Sequence, residues 1–171
     1  MASVELEIGR AFLADAQAQL SLCRRRILHC VEQLNDDQLW WRAGEEYNSI
    51  ANLLLHLEGN VRQRLLSLIG GAPDTRDRAA EFAERGPIAK EELAARFDAT
   101  FQEAEKLLVE LDPARLLETR TYKMLQGEVQ GTFVTLILQT LVHVGGHAQE
   151  IITVTRLQLR EGYRFLQEPA P

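Results

Sequence analysis

Between Val4 and Leu34 the chain reads VELEIGRAFLADAQAQLSLCRRRILHCVEQL. Leu6, Leu13, Leu20, Ile27 and Leu34 recur at seven-residue spacing, and Gly9, Ala16, Cys23 and Cys30 follow the first four of them by three residues. A stripe of large residues beside a stripe of small ones is what close helix-on-helix packing requires. The segment therefore predicts one long helix buried along this seam. His29 lies roughly 200° around that helix from Ile27 and is expected to face water. Cys23 and Cys30 are separated by a rise of about 10.5 Å, beyond disulfide reach, so they are expected to pack as small apolar residues.

Three further helices follow from the same kind of reading. One is predicted over about 48–69, capped by Asn48 or Ser49 and ended by Gly70-Gly71. Another runs over about 87–111, with Pro87 in its first turn and Leu93, Phe97, Phe101, Ala104, Leu108 and Leu111 in helical period. The last spans about 132–159, with Thr132 as its cap and Leu136, Ile137, Leu141, Val144, Ile151 and Val154 on a broad apolar face. Residues 71–86, GAPDTRDRAAEFAERG, make a connection longer than a tight turn needs, which allows a crossover along a bundle. Residues 118–131 mix β-branched and polar residues and read as extended. Pro169-Ala170-Pro171 is expected to fray. The fold class expected is all-α: a four-helix bundle with a long connection between helices 2 and 3, forming a single domain over residues 1–171.

Composition fits that expectation. The chain has 171 residues, 46% hydrophobic and 26% charged, in the range of a globular domain. Lys and Arg total 19 against 25 Asp and Glu, a net charge of −6. This opposes a sequence-independent nucleic-acid binder, which needs cationic surface against phosphates, and the 6% aromatic content opposes a base-stacking platform. MASVELEIGR carries no basic region ahead of an apolar core. Val134 to Val144 is too short to span a bilayer and includes Gln139, Thr140 and His143. A cytoplasmic protein with neither nucleic acid nor membrane as partner is expected.

Two of the four histidines form HVGGH, His143 and His147 at i and i+4. On a helix they differ by about 40° in direction and about 6 Å in height, so both imidazoles can turn to one metal ion. They lie on the stripe Leu136, Thr140, His143, His147, Glu150, Val154, apolar at its ends and polar in its middle. Burying two unpartnered imidazoles there costs free energy, which a metal would offset. His56 shares its helix face with Ser49, Asn52, Asn60, Gln63 and Ser67. By helical projection it reads first as solvent-exposed and second as the edge of a polar cleft.

NSIANLLLHL at the start of the second helix, together with HVGGHAQEI in the last, resembles the DinB/YfiT-like superfamily of bacterial four-helix bundles. That resemblance implies a divalent-metal site built from His56, His143 and His147, and a homodimer. It also implies chemistry related to thiol S-transfer with low-molecular-weight thiols. HLEGNVRQRLLSLIGGAPDTRDRAAEF resembles one uncharacterised branch of the superfamily. Many relatives read H-x-G-Q-I after the last ligand, whereas this chain reads His147-Ala148-Gln149-Glu150-Ile151, so Glu150 takes its role from geometry alone.

Three histidines without an evident fourth protein ligand leave room for substrate, as in catalytic rather than structural zinc sites. Zinc is the first expectation, with nickel, iron and manganese as alternatives. Glu150 is assigned the catalytic position, as general base, with fourth ligand, partner to a histidine N–H, or a partly exposed carboxylate on the rim of the helix face as the other readings. Val144 stands where a zinc protease of the HExxH type carries its glutamate, which opposes peptide hydrolysis on that template. Gly145-Gly146 suggests a close approach by a helix or substrate, or a local helix irregularity. Asp74, Arg76, Asp77, Arg78, Glu81 and Phe82 read first as solvated loop and second as the mouth of the site or a subunit contact. Trp40, Trp41 and Arg42 read first as a core plug under the loop and second as a substrate platform, with Arg42 suited to hold an anionic group. The functional expectation is a metal-dependent transferase or hydrolase of small molecules. The alternative is a non-catalytic metal-binding structural or stress-associated protein.

Overall fold

The structure, a computed structural model, describes residues 3–124 and 127–166. It is mostly helical, with α1 Val4–Glu32, α2 Asp36–Trp40, α3 Ile50–Val61, α4 Arg78–Ala83, α5 Lys90–Glu110 and α6 Phe133–Leu159. Strands β1 Thr119–Met124 and β2 Gly127–Thr132 pair antiparallel, with Thr119 opposite Thr132. This hairpin is the departure from an all-α chain, and it occupies the β-branched stretch read as extended. Among the described residues, no helix is long and apolar enough to cross a membrane. Pro169-Ala170-Pro171 lies outside the described residues.

The seven-residue stripe of α1 packs as its sequence dictates. Leu13, Ala16, Leu20, Ile27, Cys30 and Leu34 are buried, and both cysteines are free thiols. Helix α1 packs against α5 and α6, and α3 packs against the same two. Arg24 on α1 ties to α5 through Asp98 and Glu105. His29 departs from expectation: it is half-exposed, with Nε2 2.7 Å from the Arg164 carbonyl, because the C-terminal segment folds back over it.

The long connection is a crossover. At one end Gly70, beyond the helical turns Arg62–Ser67 that continue α3, lies against Leu107 near the end of α5. At the other end Asn52 Nδ2, in the first turn of α3, donates to the carbonyls of Glu81 and Glu84. The Lys90 ammonium, opening α5, reaches the Leu34 carbonyl. Helices α3 and α5 therefore run parallel, and residues 71–86 return along α3 with α4 in their middle. Gly71 takes the left-handed φ of +82° that the reversal requires. Helix α5 begins at Lys90 rather than in a turn containing Pro87, because Gly86 is held in the loop against Trp40 and Ala89 is the extended cap.

Helix α3 is also less regular than predicted. It is capped reciprocally by Ser49 and Asn52, but Arg62–Ser67 form a π-helical continuation. The Leu68 and Gly70 amides donate to the Gln63 and Leu65 carbonyls, five residues back. Helix α6 is α-helical through Gly145-Gly146, so the local irregularity expected at the glycines is absent there.

Candidate metal centre

His56 is in the second turn of α3 and is 4% exposed, which overturns its reading as a surface residue. Helical projection treated the face of α3 as bare, whereas the crossover lays Arg76, Glu81 and Phe82 upon it. The Phe82 ring sits 4.7 Å from the His56 ring. Glu81 Oε2 lies 2.9 Å from His56 Nδ1, and Arg76 reaches both Glu81 oxygens at 2.7 and 2.9 Å. The Arg76 and Glu81 side chains are each only 8% exposed. They are thus not solvated loop, the first reading of this segment, because their partner lies on another element. One local signal existed: Gly59, three residues after His56, removes the side chain that would block Glu81. A Cβ at Gly59 would lie 2.0 Å from Glu81 Oε1.

An ionised carboxylate only accepts, so His56 Nδ1 carries the proton that Glu81 receives. Burial alone would raise the Glu81 pKa, but hydrogen bonds from Arg76 and His56 outweigh it and hold the carboxyl below its usual value. In the Nδ1–H tautomer the His56 ring presents a lone pair at Nε2. This atom faces His143 Nε2 at 2.9 Å. Two ring nitrogens meet at that distance only with a proton or a cation between them.

His143 and His147 project from α6 toward His56, as the i, i+4 spacing predicts. The three ring centroids are 4.6 to 5.3 Å apart and the planes cross at 77° to 89°. One ligand atom from each ring lies within 4.8 Å of the others. His147 Nδ1 donates to Glu150 Oε2 at 2.7 Å, which fixes its tautomer as Glu81 fixes that of His56. Glu150 is 45% exposed and sits behind His147, outside the cluster of ring nitrogens. Burial first, then the proximity of His147, His56, Arg76 and Arg64, pushes the His143 pKa down to about 4. It is neutral near pH 7, the form that ligates metals.

The donor set fits a divalent ion. Tetrahedral ligands at zinc distances stand about 3.4 Å apart, so the His56–His143 pair would open by about half an ångström. Carboxylates behind two of the three imidazoles supply the outer support that metal-bound histidines use.

A cleft of about 740 Å³ opens beside the histidines, lined in part by His56, Asn60, Arg64, Lys123, Gln139 and His143. Gly145 and Gly146 have no atom within 4 Å of an added Cβ, so no neighbouring helix among the described residues requires them. Arg42 donates through Nη2 to Asn52 Oδ1 and the Glu84 carbonyl, which ties the loop to the start of α3. Trp40 is half-buried and donates to the Ile88 carbonyl, while Trp41 is exposed, so only one of the two plugs the loop.

Comparison with curated proteins finds no match. The family model described as "Protein of unknown function (DUF1572)" matches residues 7–170. Nearly the whole chain is covered, the histidine cluster included, and the chain belongs to the DUF1572 family.

Proposed function

We propose that the chain is a DinB-like four-helix bundle, one domain throughout, which binds a divalent metal through His56, His143 and His147 and acts as a transferase or hydrolase of small molecules. The observation that carries this reading is the facing pair of Nε2 atoms at 2.9 Å, with His56 and His147 anchored from behind by carboxylates. When bound, the ion supplies a Lewis acid that favours the ionised form of a ligating thiol or water. Glu81 and Glu150 hold two rings in the tautomers that leave Nε2 free. Burial and neighbouring positive groups keep His143 unprotonated at neutral pH. Glu150, which accepts from His147 Nδ1 behind the ring, serves as an orienting partner of a ligand rather than as general base to an incoming thiol or water. Zinc suits three imidazoles best, with nickel, iron or manganese as the other ions of this ligand set.

The substrate class is a small molecule, with a low-molecular-weight thiol as the resemblance implies, and neither nucleic acid nor membrane is assigned as a partner. A cytoplasmic homodimer completes the reading. The test is conjugation of a small thiol to an electrophilic dye by zinc-loaded, chelator-stripped and His147→Ala protein. Turnover that follows the metal and is lost in the variant supports the proposal. Stoichiometric metal without metal-dependent turnover, in this assay and in an ester-hydrolysis screen, assigns the ion the alternative role of joining α3 to α6.

A further inference from the structure

The cleft beside the histidines has a charge opposite to that of the protein. Acidic residues outnumber basic ones in the chain, 25 to 19, yet the cleft is lined by Arg64, Arg76, Arg78 and Lys123 and by no carboxylate. Arg76 is neutralised by Glu81. The other three have no carboxylate within ion-pair distance among the described residues.

Two of the three are held by neutral groups that leave their charge available. The Arg64 guanidinium lies 4.5 Å over the Tyr122 ring, and its Nη1 donates to Gln139 Oε1 at 3.3 Å. Tyr122 Oη donates to the same oxygen, so strand β1, helix α6 and the π-helical turn together fix this one side chain. Arg78 lies 4.8 Å over Phe82, the ring that covers His56. A planar guanidinium held in place without a counter-charge is preorganised for a two-oxygen anionic group. The cleft volume is in the range of small-molecule sites, and the exposed Leu138 and Val142 give it an apolar wall.

We infer that this cleft is a binding site for a small organic anion, whose carboxylate or phosphate group is held by Arg64 with Arg78 and Lys123. The inference names the substrate class of the proposed metal centre and rests on that reading for the role of the site, while anion recognition itself needs no metal.

Calorimetric titration of the metal-free full chain with malonate, inorganic phosphate and uncharged malonamide tests it, the two anions separating carboxylate from phosphate recognition. Binding of either anion, none of malonamide, and weakening with added salt are expected. Arg64→Gln should weaken binding about tenfold or more, and Arg64→Lys should weaken it less, since it keeps the charge but loses the two-point geometry. Lys123→Gln, on the exposed hairpin, gives a second variant whose fold does not depend on Arg64 packing. Zinc stoichiometry should be the same in all three. Failure of both anions to bind, or equal binding in folded Arg64→Gln and Lys123→Gln, overturns the inference even if zinc binds. Anion binding that responds to the variants in a chain that takes no metal sustains it and removes the metal-centre reading instead.

Discussion

His56 and Glu81 meet at 2.9 Å from opposite sides of a chain reversal 25 residues long. The carboxylate reaches the ring only because the crossover returns along α3 and because Gly59 offers no Cβ in its path. The pair sets the tautomer of His56 and, with Arg76, supplies the buried polar contacts that would otherwise be unsatisfied on this face of α3.

Replacing Glu81 by Gln therefore tests more than a surface contact. The amide is nearly isosteric but takes the charge away from Arg76 and weakens the hold on His56 Nδ1–H. Metal affinity should fall about 10–100-fold, measured by competition with a chromophoric chelator. Unchanged affinity in a folded variant contradicts the orienting role.

Glycines 59 and 145 separate space from helix propensity. In a helix interior Gly→Ala ordinarily stabilises by about 0.8–1.0 kcal/mol. Gly145→Ala, with open space around it, should raise the melting temperature accordingly. Gly59→Ala should lower both the melting temperature and metal affinity, since the new Cβ meets Glu81. Thermal unfolding of the two variants side by side reads out the contrast, and a gain at both positions removes the packing argument for Gly59.

The metal-free protein should lose stability as pH falls from about 6.5 to about 4. An unfolded imidazole titrates near 6.5, whereas burial first and then neighbouring positive groups push His143 down to about 4. Between these values the unfolded chain binds the proton more readily, so protonation favours unfolding. Glu81 acts in the same direction, as its stabilisation is present above the ordinary carboxyl range and is lost as pH falls through its lowered folded value. With allowance for partial solvent screening, His143 contributes about 1–2 kcal/mol across the window. His143→Asn should flatten the dependence of melting temperature on pH, and an unaltered slope contradicts this assignment.

Periodicity made the helices legible. The heptad leucines of α1 and the i, i+4 histidines of α6 project to the faces they occupy, because those faces are set by local geometry. Thr132 and Ser49 cap where their side chains predicted. His56, Arg76 and Glu81 were less accessible to that reading, since the environment of each depends on a segment distant in sequence. A helical wheel sees the polar neighbours of His56 and calls the face wet, but it cannot place a returning loop over it. The π-helical turn after Val61 was equally hidden, as its residues carry no local mark that separates five-residue from four-residue hydrogen bonding.

The central claim is that α3 and α6 share one metal ion through His56, His143 and His147. Elemental analysis of tag-free protein, loaded with zinc, nickel, iron or manganese and then desalted, tests it most directly when wild type is compared with His56→Ala and His147→Ala. The account predicts about one ion per chain in wild type, as three histidine ligands at a single centre require, and loss of the ion in both variants. A wild-type protein that remains metal-free after loading with each ion, or an ion retained in both variants, contradicts it.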